Sequence, residues 1–324
     1  MHRGSSPVRP GPRWPALTRA WWALVVVLGV LTLWALTPWD TFTPAAQLVA
    51  LRALVVVACV GLGLLALVAR ERLVAAASAV LVVVSVGVWV PAYVGSREAG
   101  DGAVTLRVLT VNALQGQADA AHVVGLVRDE KVDALVVVEL TDALVQGLRA
   151  EGLDDVLPHS FLEPREDGPG GSGLWTRASQ TGGGTVGETT FAMPYATVDV
   201  AGCDVRLTAV HPYPPIDVPV WSRELALVAT HLRSGTTPQV AAGDFNASWE
   251  HARFRSLLGG RFEDAARAAG VGWQPTWPTT PGPFTDIDHV LVDEGMGASA
   301  VRTVDVPGSD HRAVLATVHV PPSC

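Results

Sequence analysis

The chain has 324 residues, of which 49% are hydrophobic, and its formal net charge is −8 at pH 7. Its mean hydropathy of +0.31 is above that of an ordinary soluble protein, which indicates membrane segments beside a folded domain. Residues 101–324 carry 15 Lys plus Arg and 28 Asp plus Glu, a net charge of −13 that makes long duplex nucleic acid a less natural partner.

Three apolar runs, at residues 20–37, 48–69 and 73–94, fill the first third of the chain. The second and third have 22 residues each. A helix of that length reaches about 33 Å, enough to cross a hydrocarbon core of about 30 Å, so we predict three membrane spans. Two alternatives stay open: the first run is a cleaved signal peptide, or the later runs form a buried helical hairpin in a soluble protein.

Basic residues predict the orientation of the spans, because cationic loops resist export. Four arginines precede the first run and two lie between the second and third, at Arg3, Arg9, Arg13, Arg19, Arg70 and Arg72. We predict a multi-pass cell-membrane protein with a cytoplasmic tail at 1–19, a three-helix transmembrane region at 20–94, a linker at 95–102 and an extracytoplasmic domain at 103–324. The membrane lipid bilayer is the expected partner, and no protein partner can be inferred.

Beyond the linker, the apolar pattern changes repeatedly between strand and helix periodicity. The predicted strands lie at 105–111, 134–138, around Phe161, 174–176, 205–210, 239–242, 286–293, 301–306 and 313–320, and the predicted helices at 120–127, 142–150, 222–232 and 251–258. This order favours an α/β fold in which a two-sheet β-sandwich is flanked by helices.

Polar residues interrupt the predicted strands at their ends: Asn112, Glu139, His211, Asp244, Asn246, Asp288, Asp310 and His311. Because buried polar groups are costly without partners, we expect these side chains to serve one another or a metal ion. If the strand at 239–242 continues through Asp244 and Asn246, both side chains point to the same side. Taken singly, each residue also fits a turn former, a cap or a surface histidine.

Two segments, GDFN at 243–246 and SDHRAV at 309–314, carry a resemblance to a known family. With Asn112, Glu139, His211 and Asp288 in the same chain order, they resemble the endonuclease/exonuclease/phosphatase superfamily, whose members include deoxyribonucleases, abasic-site endonucleases, neutral sphingomyelinases and inositol polyphosphate phosphatases. The resemblance covers roughly residues 105–320 and implies a four-layer sandwich with the site at one edge. It also implies phosphodiester hydrolysis with Mg²⁺ or Mn²⁺, since a hard divalent cation neutralises the charge of the phosphate.

The resemblance also implies a role for each acidic or amide side chain. Glu139 would be the main metal ligand, and Asn112 and Asp310 would add further ligand oxygens. Asp244 would orient and deprotonate the attacking water, while Asn246 would hold a phosphate oxygen.

Two histidines complete the implied catalytic set. His311 would stabilise the pentacovalent phosphorus, and Asp288 would fix the tautomer of His311 and raise its pKa. His211 occupies the place of the general-acid histidine of deoxyribonuclease-like and sphingomyelinase-like members.

The resemblance is incomplete in the regions that would contact substrate. The segment GSGLWTR at 171–177 has Thr176 where the family commonly has Ser, and the residue before Glu139 is Val rather than Gln. Arg177 in this segment and Trp277 in a Pro-rich loop are candidate substrate contacts, with simple packing as the alternative for Trp277. The three cysteines fit no metal-site spacing, and a disulfide between Cys203 and Cys324 is conceivable in an oxidising compartment.

The apolar runs and the family resemblance together imply a membrane-anchored, metal-dependent phosphodiesterase that acts outside the cytoplasm. A lipid or other membrane phosphodiester is the favoured substrate, because the anchor raises the local concentration of lipid headgroups. An extracellular nuclease acting on DNA or RNA, an enzyme for a soluble phosphomonoester, and a non-catalytic binding module with the same fold are the alternatives.

Overall fold

The computed structural model describes residues 15–96, 100 and 102–322. Arg3, Arg9, Arg13 and Cys324, together with residues 97–99 and 101 of the predicted linker at 95–102, lie outside the described residues. An N-terminal helical unit contains four helices and ends in a 3-10 turn at Val90–Tyr93. The helices are α1 (Pro15–Trp34), α2 (Ala45–Ala50), α3 (Arg52–Val68) and α4 (Arg72–Gly87).

The prediction of three membrane spans is wrong. In the part of the chain that the structure describes, one helix, Ala16–Trp34, is long and apolar enough to cross a membrane, and it could serve as an anchor or as a signal sequence. Helices α3 and α4 have 17 and 16 residues. They reach only about 25 Å, because residues 48–50 belong to the separate α2 and because Pro91 follows α4 closely.

The outer surface of the N-terminal helical unit is apolar. Its helices pack on one another through Leu62, Ala66 and Val74, whereas Val68 and Val83 are 84% and 69% exposed. Continuous exposed apolar surface is rare on soluble monomers and marks a surface that contacts a partner or a membrane.

The C-terminal domain, residues 102–322, confirms the predicted α/β sandwich of two mixed sheets. The first sheet has the order β11 (Gly297–Asp305), β12 (Arg312–Val320), β1 (Val104–Asn112), β2 (Ala134–Val138), β4 (Ser172–Thr176) and β3 (His159–Glu163). The second has the order β5 (Gln180–Thr185), β6 (Pro194–Val200), β7 (Cys203–Val210), β8 (Gln239–Asp244), β10 (Asp288–Val292) and β9 (Glu263–Asp264).

The described part of this domain has five α-helices. They are α5 (Ala120–Asp129), α6 (Asp142–Ala150), α7 (Val218–Leu232), α8 (Ala252–Leu258) and α9 (Ala265–Ala268). The first four in chain order cover the outer faces of the sheets, whereas the last packs into the core between the sheets through Ala265 and Ala268. Helices α5 and α6 pack on the first sheet, whereas α7 and α8 pack on the second. All five residues of β2 are therefore buried, as its uninterrupted apolar sequence predicts. Asp119 and Thr141 cap α5 and α6 by accepting hydrogen bonds from His122 N–H and Leu144 N–H.

Two parallel strand pairs fix the position of the polar strand ends. Strand β1 runs parallel to β2, and β7 runs parallel to β8, so each pair ends at one edge of its sheet. Strands β12 and β10 run antiparallel to β1 and β8, so they begin where β1 and β8 end. Asp288 consequently lies directly opposite Asp244 in the register of β10 and β8.

Candidate active site

The structure brings Asn112, Glu139 and Asp244 together at the edge where the two sheets meet. The side-chain nitrogen of Asn112 donates to Glu139 Oε1 at 3.2 Å and to Asp244 Oδ2 at 3.1 Å. The side-chain oxygen of Asn112, Oδ1, accepts from Leu114 N–H at 3.0 Å. One amide thus joins two carboxylates from different sheets.

Glu139 follows β2 in a left-handed backbone conformation with φ of +56°. Its Oε2 atom accepts from Gln115 N–H at 2.8 Å. Burial raises the pKa of this carboxyl, although the hydrogen bonds from Asn112 and Gln115 lower it. The side chain remains 14% exposed, so one face of the carboxylate is open to the cleft.

His211 lies between the same two carboxylates. Its Nε2 atom is 4.0 Å from Glu139 Oε1 and 3.9 Å from Asp244 Oδ2. Burial and the positive charge of His311 lower the pKa of His211 to about 3. The Phe191 ring covers His211, with 4.8 Å between the ring centroids.

Asp288 and His311 form a buried hydrogen-bonded pair on the other side of Asp244. His311 Nδ1 is 2.8 Å from Asp288 Oδ2, and its Nε2 is 3.8 Å from Asp244 Oδ2. Burial opposes the positive charge of His311, yet the carboxylates of Asp288, Asp244 and Asp310 raise its pKa to about 10. His311 therefore carries both ring protons at neutral pH and donates one to Asp288.

Burial and the charge of Asp288 raise the pKa of Asp244 to about 7, despite the opposing effect of His311. Ser309 supports this arrangement from the loop before β12. Its hydroxyl donates to the Asn112 carbonyl at 2.7 Å and accepts from His311 N–H at 2.9 Å.

The expectation that Asp244 and Asn246 share one face of a continuing strand is wrong. Strand β8 ends at Asp244, and Asn246 has a left-handed φ of +48°. The two residues meet through a turn, in which Asn246 N–H donates to Asp244 Oδ1 at 2.7 Å and the Asn246 side chain donates to the Pro212 carbonyl at 3.0 Å. Gly243 permits the close packing here, because a Cβ at this position would lie 2.0 Å from the Val210 carbonyl oxygen.

Asp310 and Trp277 lie at the rim of the site. Asp310 Oδ2 accepts from the Trp277 indole at 3.2 Å, and Asp310 Oδ1 is 3.9 Å from His311 Nε2. The side chain of Asp310 is 42% exposed. Trp277 lines the cleft together with Glu139, Asp244 and His311.

The structure does not bring Arg177 to the site. Strand β4 runs antiparallel to β2, so the residue after β4 lies at the beginning of β2, away from Glu139. The Arg177 guanidinium there bonds to Asp133 Oδ1 at 3.1 Å and to the Val132 carbonyl at 2.8 Å. The predicted substrate contact by Arg177 is a structural ion pair instead.

Sequence reasoning missed Glu224, a fully buried carboxylate on α7. It accepts from Thr190 N–H at 2.7 Å, from the Thr190 hydroxyl at 2.6 Å and from Tyr213 N–H at 2.7 Å. Glu224 thereby fixes the two loops that carry Phe191 and His211. The sequence did contain a signal for its burial, because Glu224 lies on the apolar face of α7 beside Trp221 and Leu225.

The donor set fits a divalent cation on the Glu139 side of the site. Asp244, Asp288 and His311 offer atoms within 4.8 Å of one another, but a protonated His311 bonded to Asp288 has no free lone pair for a metal. Glu139 has an open carboxylate face, and its neighbours Asp244 and Asp310 add negative charge. Among the described residues that line the cleft there is no Lys or Arg to balance this charge, so a hard cation with oxygen ligands matches the site.

A two-sheet sandwich that gathers carboxylates, amides and histidines at one edge defines a class of phosphoester hydrolases, and sequence comparison agrees. The sequence profile of the Endonuclease/Exonuclease/phosphatase family matches residues 109–311. The chain belongs to this family, whose members are hydrolases that generally use divalent metal ions. No curated protein matches the chain in sequence.

Solved structures of low sequence identity share the fold. Humanized D. rerio TDP2 with 14 mutations is 17% identical, with a TM-score of 0.57 over 66% of this chain and 98% of that one. An endonuclease/exonuclease/phosphatase from Beutenbergia cavernae is 23% identical, with a TM-score of 0.55 over 67% of this chain and 72% of that one. Sphingomyelinase C from Streptomyces griseocarneus is 17% identical, with a TM-score of 0.50 over 67% of this chain and 99% of that one.

Proposed function

We propose that this protein is a membrane-anchored, metal-dependent phosphodiesterase that hydrolyses a lipid phosphodiester. The observation that carries the proposal is the connected set of Glu139, Asn112, Asp244, Asp288 and His311 at one sheet edge. Glu139 would hold Mg²⁺ or Mn²⁺, with Asp310 as a further ligand. Asn112 faces Glu139 with its amide nitrogen rather than its oxygen, so it would position the carboxylate instead of binding the ion. A bound ion would neutralise part of the negative charge of the phosphate.

The side chains divide the remaining work of hydrolysis. A pKa of about 7 lets Asp244 accept the proton of the attacking water near neutral pH. As the new bond from water oxygen to phosphorus forms, the ester oxygen leaves. Protonated His311, held by Asp288, stabilises the negative charge on the phosphoryl oxygens, and Asn246 orients one of them.

His211 would deliver the proton to the leaving oxygen. It is neutral in the free site, and the negative charge of a bound phosphodiester would raise its pKa towards the range in which it donates a proton. Phe191 and Glu224 hold the loop of this histidine in place.

The cleft beside these residues supports a lipid substrate. It has a volume of about 590 Å³, and its walls include Phe191, Ile216, Phe284 and Ile287. Such walls suit apolar chains, whereas a nucleic-acid groove uses Lys and Arg to neutralise phosphates. The apolar α1 and the exposed apolar surface of the helical unit support membrane anchoring. Arg3, Arg9, Arg13 and Arg19 precede the apolar run that begins at Ala20, and this placement supports a catalytic domain outside the cytoplasm.

A substrate panel tests the proposal. The full-length protein in detergent micelles is assayed with Mg²⁺ or with chelator against sphingomyelin, glycerophospholipids, and single- and double-stranded DNA. We expect hydrolysis of at least one lipid that chelator and Asp244→Ala both abolish. Cleavage of nucleic acid alone would show that the lipid assignment is wrong, and no metal-dependent hydrolysis of any phosphodiester would favour a non-catalytic binding module.

A further inference from the structure

The segment between α1 and α3, residues 35–51, packs against the C-terminal domain. The buried Asp40 carboxylate accepts from Arg253 N–H at 3.0 Å and forms an ion pair with the Arg253 guanidinium. The Thr43 hydroxyl donates to the Ile216 carbonyl at 3.5 Å. The segment thus contacts both the region after β8 and the Pro-rich loop after β7.

His251 fixes α2 directly. Its Nδ1 accepts from Ser248 N–H at 2.9 Å, which places the ring proton on Nε2. Nε2 in turn donates to the Ala46 carbonyl at 2.8 Å. His251 is 1% exposed and Ala46 is fully buried, so water does not compete for this bond.

The same helix forms one side of the active-site cleft. The cleft is lined by Ala46, Gln47, Ala50 and Leu51 and also by Glu139, His211, Asp244, Asn246 and His311. The N-terminal helical unit therefore completes the cleft that the C-terminal domain begins. Small side chains at positions 46 and 50 leave room between α2 and the apolar loops opposite.

An aromatic cluster lies at the end of α1, next to this segment. Trp34 packs edge-on against Trp39 and Phe42, with centroid distances of 5.6 and 6.2 Å. Trp39 and Phe42 are 57% and 50% exposed. Aromatic side chains at the end of an apolar helix are typical of the interface between membrane and water. Because Thr43 contacts the Ile216 loop, this interface would lie beside the cleft.

We propose that α2 and Leu51 form the specificity wall of the active site and hold the apolar chains of a membrane lipid whose phosphodiester lies against Asn246 and His311. This inference rests on the proposed phosphodiesterase function. The wall selects a slender amphiphile that enters from the membrane side.

A graded substitution at the wall tests the inference. Ala50→Val, Ala50→Leu and Ala50→Trp fill the cleft progressively, and Leu48→Trp is the matched control, because Leu48 lies on α2 with 40% exposure and does not line the cleft. The full-length variants are assayed in mixed detergent micelles with phosphatidylcholine and sphingomyelin, and with the small soluble diester bis(4-nitrophenyl) phosphate. Thermal unfolding of each variant checks that it folds.

We expect the ratio of kcat/KM for lipid to kcat/KM for the small diester to fall by about tenfold or more in Ala50→Trp, since lost apolar contacts discriminate by such factors. The smaller substitutions should give intermediate ratios and a preference for shorter acyl chains, and Leu48→Trp should keep the wild-type ratio. Equal ratios in all folded variants would overturn the specificity wall alone, as would a wild type that cleaves only the small diester. A wild type inactive on every substrate would overturn the phosphodiesterase function, and the wall with it.

Discussion

Replacing Asp288 by Asn tests the buried pair that charges His311. The substitution keeps the shape of the side chain but removes the negative charge that lies 2.8 Å from His311 Nδ1. Burial lowers the pKa of His311, but the surrounding carboxylates more than compensate and raise it from 6.5 to about 10. Asp288 contributes most to that rise. At about 1.4 kcal/mol per pKa unit, the loss of Asp288 would cost the protonated ring about 2–4 kcal/mol.

If protonated His311 stabilises the transition state, this cost lowers kcat by up to about 30- to 1000-fold at alkaline pH, where the variant loses the proton that the wild type keeps. The pH above which activity falls should also move downwards, because His311 then loses its proton at a lower pH. Steady-state kinetics between pH 6 and 10, with the lipid that the wild type cleaves, measure both effects.

Asp286→Asn is the matched control, two residues earlier in the same segment. Burial and the charge of Glu250 raise the pKa of Asp286 well above its ordinary value. Asn keeps the shape of this side chain, and Asp286 is not among the described residues that line the cleft, so kcat should stay close to that of the wild type. If Asp288→Asn kept wild-type kcat and its pH profile while remaining folded, the assigned role of the pair would be refuted.

Two predictions concern stability. Gly243→Ala should lower the free energy of unfolding by about 3 kcal/mol or more, since its Cβ would lie 2.0 Å from the Val210 carbonyl oxygen. The control Gly202→Ala has a positive φ but open space around the new Cβ, and it should lower this free energy by only about 1 kcal/mol. Equal losses for the two variants in denaturant titrations would contradict the prediction. Against the opposing effect of burial, Asp264 raises the pKa of His289 to about 9. The folded-state pKa lies above the unfolded value of 6.5, so protonated His289 stabilises the folded protein by about 3 kcal/mol. This contribution to the free energy of unfolding is complete below pH 6.5 and is lost as the pH rises through 9. His289→Gln should flatten the fall in unfolding temperature between pH 6 and 9.5, and an unchanged slope would show that the pair does not titrate in this range.

Local apolar patterns predicted most of the C-terminal domain. Strand β2 and helix α6 have the predicted bounds. The five consecutive apolar residues of β2 and the capped, amphipathic sequence of α6 are strong local signals. Strand β5 was not predicted, since its sequence QTGGGT is rich in Gly, and β6 was missed with it. Strand β6 pairs with β7, and β5 pairs with β6, which holds both strands in the second sheet. A single sequence shows no such pairing.

The sequence predicted the positions of site residues that follow directly after a strand. It did not predict positions that depend on contacts between distant parts of the chain. Asn112 lies beside Glu139, and His211 beside Asp244, because the parallel strands of each pair end at the same edge of their sheet. Arg177 was misplaced because the antiparallel direction of β4 reverses its position. The contact of α2 with His251 joins residues 205 positions apart, and no local pattern predicts it. The apolar runs suggested longer helices than α3 and α4, because hydropathy does not register the break at Leu51.

Cation binding to the full-length protein tests the central claim most directly. Isothermal titration with Mn²⁺ is compared for the wild type and for Glu139→Gln, which keeps the side-chain shape but removes the ligand charge. The account predicts a metal site in the wild type whose affinity falls by about 100-fold or more in Glu139→Gln. Identical Mn²⁺ binding by the two proteins would contradict it.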